Sequence, residues 1–157
     1  MKVNVIDLFA GPGGLGEGFF SLKTENGDYP FKGICSVEMN EHAHKTLTLR
    51  AFYRKLIQNK KKIPKEYFEY AEKKINTPCS PETSKLWAEA QKETIQLELG
   101  KDVKHDIAFF ENLKKEFEEE LSSNPTIIIG GPPCQAYSLV GRARNKGKKD
   151  YIPENDH

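Results

Sequence analysis

Apolar residues in this chain fall into short unbroken runs near its two ends and into helically spaced sets between them. Val3 to Leu8 is short, rich in Val and Ile, and stops at a Gly/Pro cluster, which predicts a first strand. Gly14 to Leu22 predicts a short helix and Gly33 to Glu38 a second strand. Glu41 to about Ile57 predicts a longer helix, with Asn40 as its N-cap. Strand, loop, helix and strand in that order make a βαβ unit and imply a parallel sheet. Val103 to Ile107 reads as a third strand, and Ala108 to Leu121 as a helix with Phe110, Leu113, Phe117 and Leu121 on its core face. The run Ile127-Ile128-Ile129 predicts a buried fourth strand over Thr126 to Ile129.

Residues 58 to 100 have a different texture. Lys60-Lys61-Lys62, Lys73-Lys74 and many glutamates dominate them. Tyr67, Phe68, Ala71 and Ile75 sit at helical spacing, and Glu69 and Lys73 form an i,i+4 pair. Pro78 and Pro81 break the segment, and Leu86 to Leu99 has the makings of another helix. The expectation is a helical hairpin inserted on the sheet, its charges forming a solvated face.

Composition narrows the class without choosing a partner. The 157 residues are enough for one domain with a core, 37% hydrophobic and 30% charged as in ordinary globular chains. A formal net charge of +1 favours no partner, so any nucleic-acid contact must come from a local patch. The three cysteines, Cys35, Cys79 and Cys134, include no C-x-x-C pair and suit a reduced setting. No signal peptide or membrane span is evident, so the expected location is cytoplasmic. No residue set suggests a metal.

The loop Asp7-Leu8-Phe9-Ala10-Gly11-Pro12-Gly13-Gly14-Leu15-Gly16 joins the first strand to the first helix. Its glycines let backbone approach a ligand and let helix and strand pack closely. Glu38, ending the second strand, can accept hydrogen bonds from both hydroxyls of a ribose. A pyrophosphate on this loop would meet the like charge of Asp7, which disfavours a nicotinamide cofactor. S-adenosylmethionine carries a sulfonium, an amino group, an adenine and a ribose, and no phosphate, and suits the loop better. Asp106, after the expected third strand, could accept from an adenine amino group with Ile107 packing on the ring. A glycine-rich turn without a ligand, and an Asp serving only as a turn or helix cap, are the plain alternatives.

Gly130-Gly131-Pro132-Pro133-Cys134-Gln135 follows the fourth strand. Two glycines and two prolines stop the strand and stiffen its exit. A thiol set just beyond is displayed, as a nucleophile at the carboxyl edge of a sheet would be. The alternative is an inert buried thiol. Arg142, Arg144, Lys146, Lys148 and Lys149 then crowd a segment able to engage phosphates.

Asp7-Leu8-Phe9-Ala10-Gly11-x-Gly13-Gly14 resembles the first motif of the DNA (cytosine-5) methyltransferases, and Gly131-Pro132-Pro133-Cys134-Gln135-Ala136-Tyr137-Ser138 resembles their Pro-Cys-Gln nucleophile motif. Ser36-Val37-Glu38-Met39-Asn40 and Asp106-Ile107 fall where that family keeps its second and third cofactor motifs. The resemblance implies an S-adenosylmethionine-dependent, Rossmann-like parallel sheet. It implies cofactor contacts from Asp7, Phe9, Ala10, Gly11, Gly13, Gly14, Glu38, Met39, Asp106, Ile107 and Pro133, with S-adenosylhomocysteine as product. Cys134 would be the nucleophile toward a cytosine flipped from double-stranded DNA. Gln135, Ser138, Arg142 and Arg144 would contact the nucleic acid, within a basic loop over about 136–157.

The family's Glu-Asn-Val and Gln-x-Arg-x-Arg motifs are not found here. The resemblance therefore implies the N-terminal part of a longer catalytic domain, inactive alone, whose open sheet edge could self-associate. Three other readings stay open: a non-catalytic S-adenosylmethionine-binding module or split-enzyme subunit, a tRNA cytosine-5 methyltransferase, and a nicotinamide-dependent oxidoreductase.

Overall fold

The computed structural model describes residues 2–132, an α/β fold whose four strands run parallel and are flanked by helices. The strands are β1 (Val3–Leu8), β2 (Phe31–Glu38), β3 (Thr94–Gln96) and β4 (Thr126–Gly130), in the order β3-β2-β1-β4. β1 carries the sequence outward through β2 to β3, and β4 then returns to its other side. The strand order thus reverses between β1 and β4, where open sheets of this kind leave a crevice at their carboxyl ends.

The helices are α1 (Gly14–Phe20), α2 (Glu41–Gln58), α3 (Lys65–Ala71), α4 (Ser84–Glu93), α5 (Val103–Glu116) and α6 (Glu118–Ser123). Successive residues of a strand face opposite ways. Ile6 packs with Leu113 of α5, whereas its neighbour Asp7 lies under Gly16 of α1, so those two helices cover opposite faces. A second cluster joins Ala51, Phe52 and Leu56 of α2 to Ala90 of α4, with Tyr67 and Trp87 against it.

β1, β2, α2 and β4 form where the sequence pattern predicts them, and the Asn40 side chain caps α2 by accepting from His42 and Ala43 N–H. The middle of the chain differs. Val103 to Ile107 is the first turn and a half of α5 and not a strand. Asp102 caps that helix through the Lys104 and His105 amides, a local reward that outweighs the β-branched Val and Ile. The third strand is Thr94–Gln96 instead, inside the segment expected to be a helical insertion. Residues 58–100 therefore complete the crossover from β2 to β3, with α4 packed on α2.

Smaller differences share the same causes. α3 ends at Ala71, so Glu69 pairs with Lys65 at 3.4 Å and not with Lys73. Phe109 and Leu113 of α5 and its C-cap Phe117 form the i,i+4 row that packs inward, leaving Phe110 partly exposed. β4 pairs with β1 on one side only among the described residues, and Ile128 keeps 67% of its surface exposed, so the run is not buried.

α2 and α3 both end on lysines in left-handed backbone, Lys60 at φ 53° and Lys73 at φ 61°. At each end two amides close back on the last turn: Lys60 to Ile57 and Lys61 to Leu56, then Lys73 to Tyr70 and Lys74 to Glu69. Glycine is the usual occupant of such a position, because a Cβ there costs about 1 kcal/mol. The lysine charge at a helix C-terminus recovers about 0.3–1 kcal/mol. Lys60→Gly is expected to raise stability by about 0.5 kcal/mol in urea unfolding. A less stable variant would mean that the cation outweighs the backbone strain.

Candidate functional site

The glycine loop is bound to the carboxyl edge of the sheet by its own backbone. Ala10 N–H donates to the Val37 carbonyl at 2.9 Å, Gly13 N–H to Ala10 at 3.0 Å, and Glu17 N–H to Gly13 at 3.1 Å. Three loop residues take left-handed backbone, Phe9 at φ 58°, Gly11 at 57° and Gly13 at 90°. An aromatic residue in that region is strained, and such strain tends to collect at ligand sites. A Cβ on Gly13 would lie 2.8 Å from Leu47 Cδ1 on α2, so that side chain would have to shift, and the φ of 90° itself disfavours any L side chain there. Among the described residues nothing lies within 4 Å of the Cβ positions of Gly11 and Gly14, so these residues leave the loop's outer side open. Ala10 is buried beneath it.

Glu38 is joined to this loop directly. Its Oε2 accepts from Gly11 N–H at 2.8 Å and its Oε1 from Asn40 N–H at 2.6 Å. A carboxylate has about four acceptor positions, so two remain for ribose hydroxyls. Met39, next in sequence, is 57% exposed, an apolar surface beside the acid.

Asp7 is not open to the loop's outer side. It is 1% exposed, and neither carboxylate oxygen has a hydrogen-bond partner among the described residues. Burial pushes its pKa up to about 6, and the Gly16 amide, short of a well-formed hydrogen bond, offsets only part of that. Asp7 is thus a buried charge under α1, able to act on a bound cation through the low-dielectric interior but not by contact in this arrangement.

Asp106 and Ile107 stand in α5, not at a strand end. Asp106 Oδ2 accepts from Gly100 N–H at 2.8 Å, while its Oδ1 is buried without a partner. Ile107 is 53% exposed. Both follow β3 in the chain, and Ile107, like Met39, is an exposed apolar side chain. Sequence reading passed over Asp102, whose spacing ahead of a helical pattern was the available signal, and the grip of Glu38 on Gly11, which no local pattern reveals.

The thiol segment begins beside the loop. β4 runs parallel to β1 with Gly130 paired to Leu8, so the two strand ends lie side by side. A Cβ on Gly130 would collide with the Leu8 carbonyl oxygen. Pro133, Cys134, Gln135, Ser138, Arg142 and Arg144 lie outside the described residues. Of the other cysteines, Cys35 is a core residue: burial, then Glu93 and Glu116, push its thiol up to about 12, leaving it unreactive.

Other features lead elsewhere. A cleft of about 760 Å³ at the opposite, amino edge is lined by Tyr29, Gly33, Arg54, Lys55 and Glu93, among others. Its most buried cations are committed to Glu93. Among the described residues no group of His, Cys, Asp and Glu is arranged to hold a metal, and no helix is long and apolar enough to cross a membrane.

Type II methyltransferase M.Bpa9945I of Bacillus paralicheniformis is 32% identical to this chain over 153 residues, covering 90% of it. The chain is homologous to the type II methyltransferases. It spans about a third (33%) of the length of that methyltransferase. A prospective type II methyltransferase of Oceanobacillus iheyensis, M.OihORF3336P, is 59% identical over 32 residues, 20% of this chain and 7% of its own length. No family model and no solved structure matches the chain. Homology to type II methyltransferases agrees with the parallel sheet and with the glycine loop at its switch point.

Proposed function

We propose that this chain is part of a DNA (cytosine-5) methyltransferase that uses S-adenosylmethionine, with Cys134 as nucleophile. The observation that carries the reading is the pairing of Leu8 with Gly130. It sets the exit toward the Pro-Cys-Gln motif beside the entry to the glycine loop, as a reaction between a bound cofactor and a thiol-activated base requires.

The residues present fit that cofactor. Gly11 and Gly14 leave backbone exposed to it, Glu38 keeps acceptor capacity for a ribose, and buried Asp7 favours a cation nearby. S-adenosylmethionine supplies an electrophilic methyl group on its sulfonium when bound. Pro133 would line the adenine side with Met39 and Ile107, and Phe9 would stack near the ring.

The chain's own chemistry starts at Cys134. Carbon 5 of cytosine is a weak nucleophile. A thiolate bond to carbon 6 turns the ring into an enamine that is nucleophilic at carbon 5. After carbon 5 gains the methyl group, a base takes its proton, and the electron pair expels the Cys134 thiolate and restores the ring. A thiol of ordinary pKa, about 8.5, is only a few per cent ionised at neutral pH, so nearby cations would raise the reactive fraction. The target base must leave the duplex, because stacking hides carbon 6. Gln135, Ser138, Arg142 and Arg144 are the candidates to hold that DNA.

DNA bearing 5-fluorocytosine tests the reading, because fluorine cannot leave as a proton and the covalent state is trapped. In the presence of cofactor, the full-length protein should form a denaturation-stable adduct that Cys134→Ala abolishes. An adduct that survives that substitution would assign the chemistry to another residue. Methylation of an exocyclic amino group with no adduct would replace the cytosine-5 assignment.

A further inference from the structure

Each oxygen of the Glu38 carboxylate accepts one backbone amide. Oε2 takes the Gly11 amide at 2.8 Å and Oε1 the Asn40 amide at 2.6 Å. Gly11 lies mid-loop in left-handed backbone, and Asn40 caps α2. One carboxylate thus bridges the middle of the glycine loop, the end of β2 and the start of α2. The neighbouring attachment, Ala10 N–H to the Val37 carbonyl, is one residue earlier both in the loop and in β2, so the two bonds form a clasp between the segments.

We propose that Glu38 is a positioning residue for the glycine loop, holding Gly11 in its left-handed conformation in the absence of cofactor. Its contribution to affinity is then separable from any ribose contact. A hydrogen bond to a charged acceptor is stronger than one between neutral groups, and a loop held in its bound form loses less freedom when a ligand docks. Gln at this position keeps the size but offers one neutral oxygen in place of two charged ones. It can satisfy one amide and leaves the other facing an NH₂ donor. Asp keeps the charge but is one methylene too short to span from β2 to Gly11.

The proposal rests on the cofactor reading for its effect on affinity, but its first test needs no cofactor. Hydrogen exchange is followed at the Gly11 amide in the full chain without ligand, for wild type, Glu38→Gln and Glu38→Asp. Exchange at Gly11 should rise at least about tenfold in both variants, while core amides of β1 keep their protection. Unchanged Gly11 exchange in either folded variant would overturn the proposal. A second measurement uses S-adenosylhomocysteine lacking both ribose hydroxyls. If Glu38 serves only the ribose, wild type and Glu38→Gln bind this analogue equally, which again overturns the proposal. If it positions the loop, the variant binds about three- to tenfold more weakly. Should wild type bind neither the product nor its analogue, the cofactor reading fails while the exchange result still decides the role of Glu38.

Discussion

Glu93→Ala is expected to destabilise the chain by about 3 kcal/mol, a large part of the roughly 5–15 kcal/mol typical of a domain. Glu93 is 5% exposed at the end of α4 and holds two cations of α2. Arg54 binds its Oε1, and Lys55 binds its Oε2 at 2.8 Å. These partners hold its carboxyl below the usual carboxylate range although burial alone would raise it. Removing the acid strands a buried guanidinium, which is why such losses run to about 3–5 kcal/mol. The lower figure applies because Arg54 keeps Glu17 at 3.0 Å and Lys55 can reach water. The pH dependence follows from the sign. A depressed folded pKa contributes stability that is present above the unfolded value and lost as pH falls through the folded one. The gap between wild type and variant, measured by urea unfolding, should therefore narrow on acidification below the ordinary glutamate range. A gap under about 1 kcal/mol at neutral pH would show that the cluster is not the tie between α2 and α4.

Asp7→Asn is expected to act in the opposite direction on stability. The rise of its pKa from 3.8 to about 6 corresponds to about 3 kcal/mol of penalty for the charged form. Between those values the folded chain holds a proton that the unfolded chain has released, so stability falls as pH rises from about 4 to 6. Asparagine removes that loss but buries an amide that needs partners of its own. The net gain should be about 2 kcal/mol at pH 7 and should vanish near pH 4. Under the proposed function the same change weakens cofactor binding, and more for S-adenosylmethionine, which carries the sulfonium, than for S-adenosylhomocysteine. Stability is then given up at Asp7 for a field that favours a cation, a common trade at functional sites. A stability difference that stays flat from pH 4 to 7 would refute the buried-charge account.

The sheet's central pair was legible in the sequence because its signals are local and redundant. Val3 to Leu8 is a β-branched run that stops at glycines, Gly33 to Glu38 marks the second strand, which begins two residues earlier at Phe31, and Asn40 marks the next helix. β3 was hidden because three residues, Thr94 to Gln96, are too few to show alternation, and the preceding helix runs straight into them. Val103 to Ile107 misled because β-branched side chains suggested a strand, while the Asp102 cap and the continuing helical row decided the matter. In the candidate site, residue type and spacing are what single out the loop and Glu38. What sequence could not show was Asp7 turned inward under α1, or Glu38 already engaged with Gly11, because both depend on which face of a strand meets which helix.

Gly130 has a consequence for how the chain can vary. With the Leu8 carbonyl lying where any side chain would begin, this position has an alphabet of one letter. The loop before α1 and the segment leading to Cys134 can each drift in composition, but only around that shared point. Gly130 works as a spacer of zero width, fixing how far apart two otherwise independent stretches of sequence can stand.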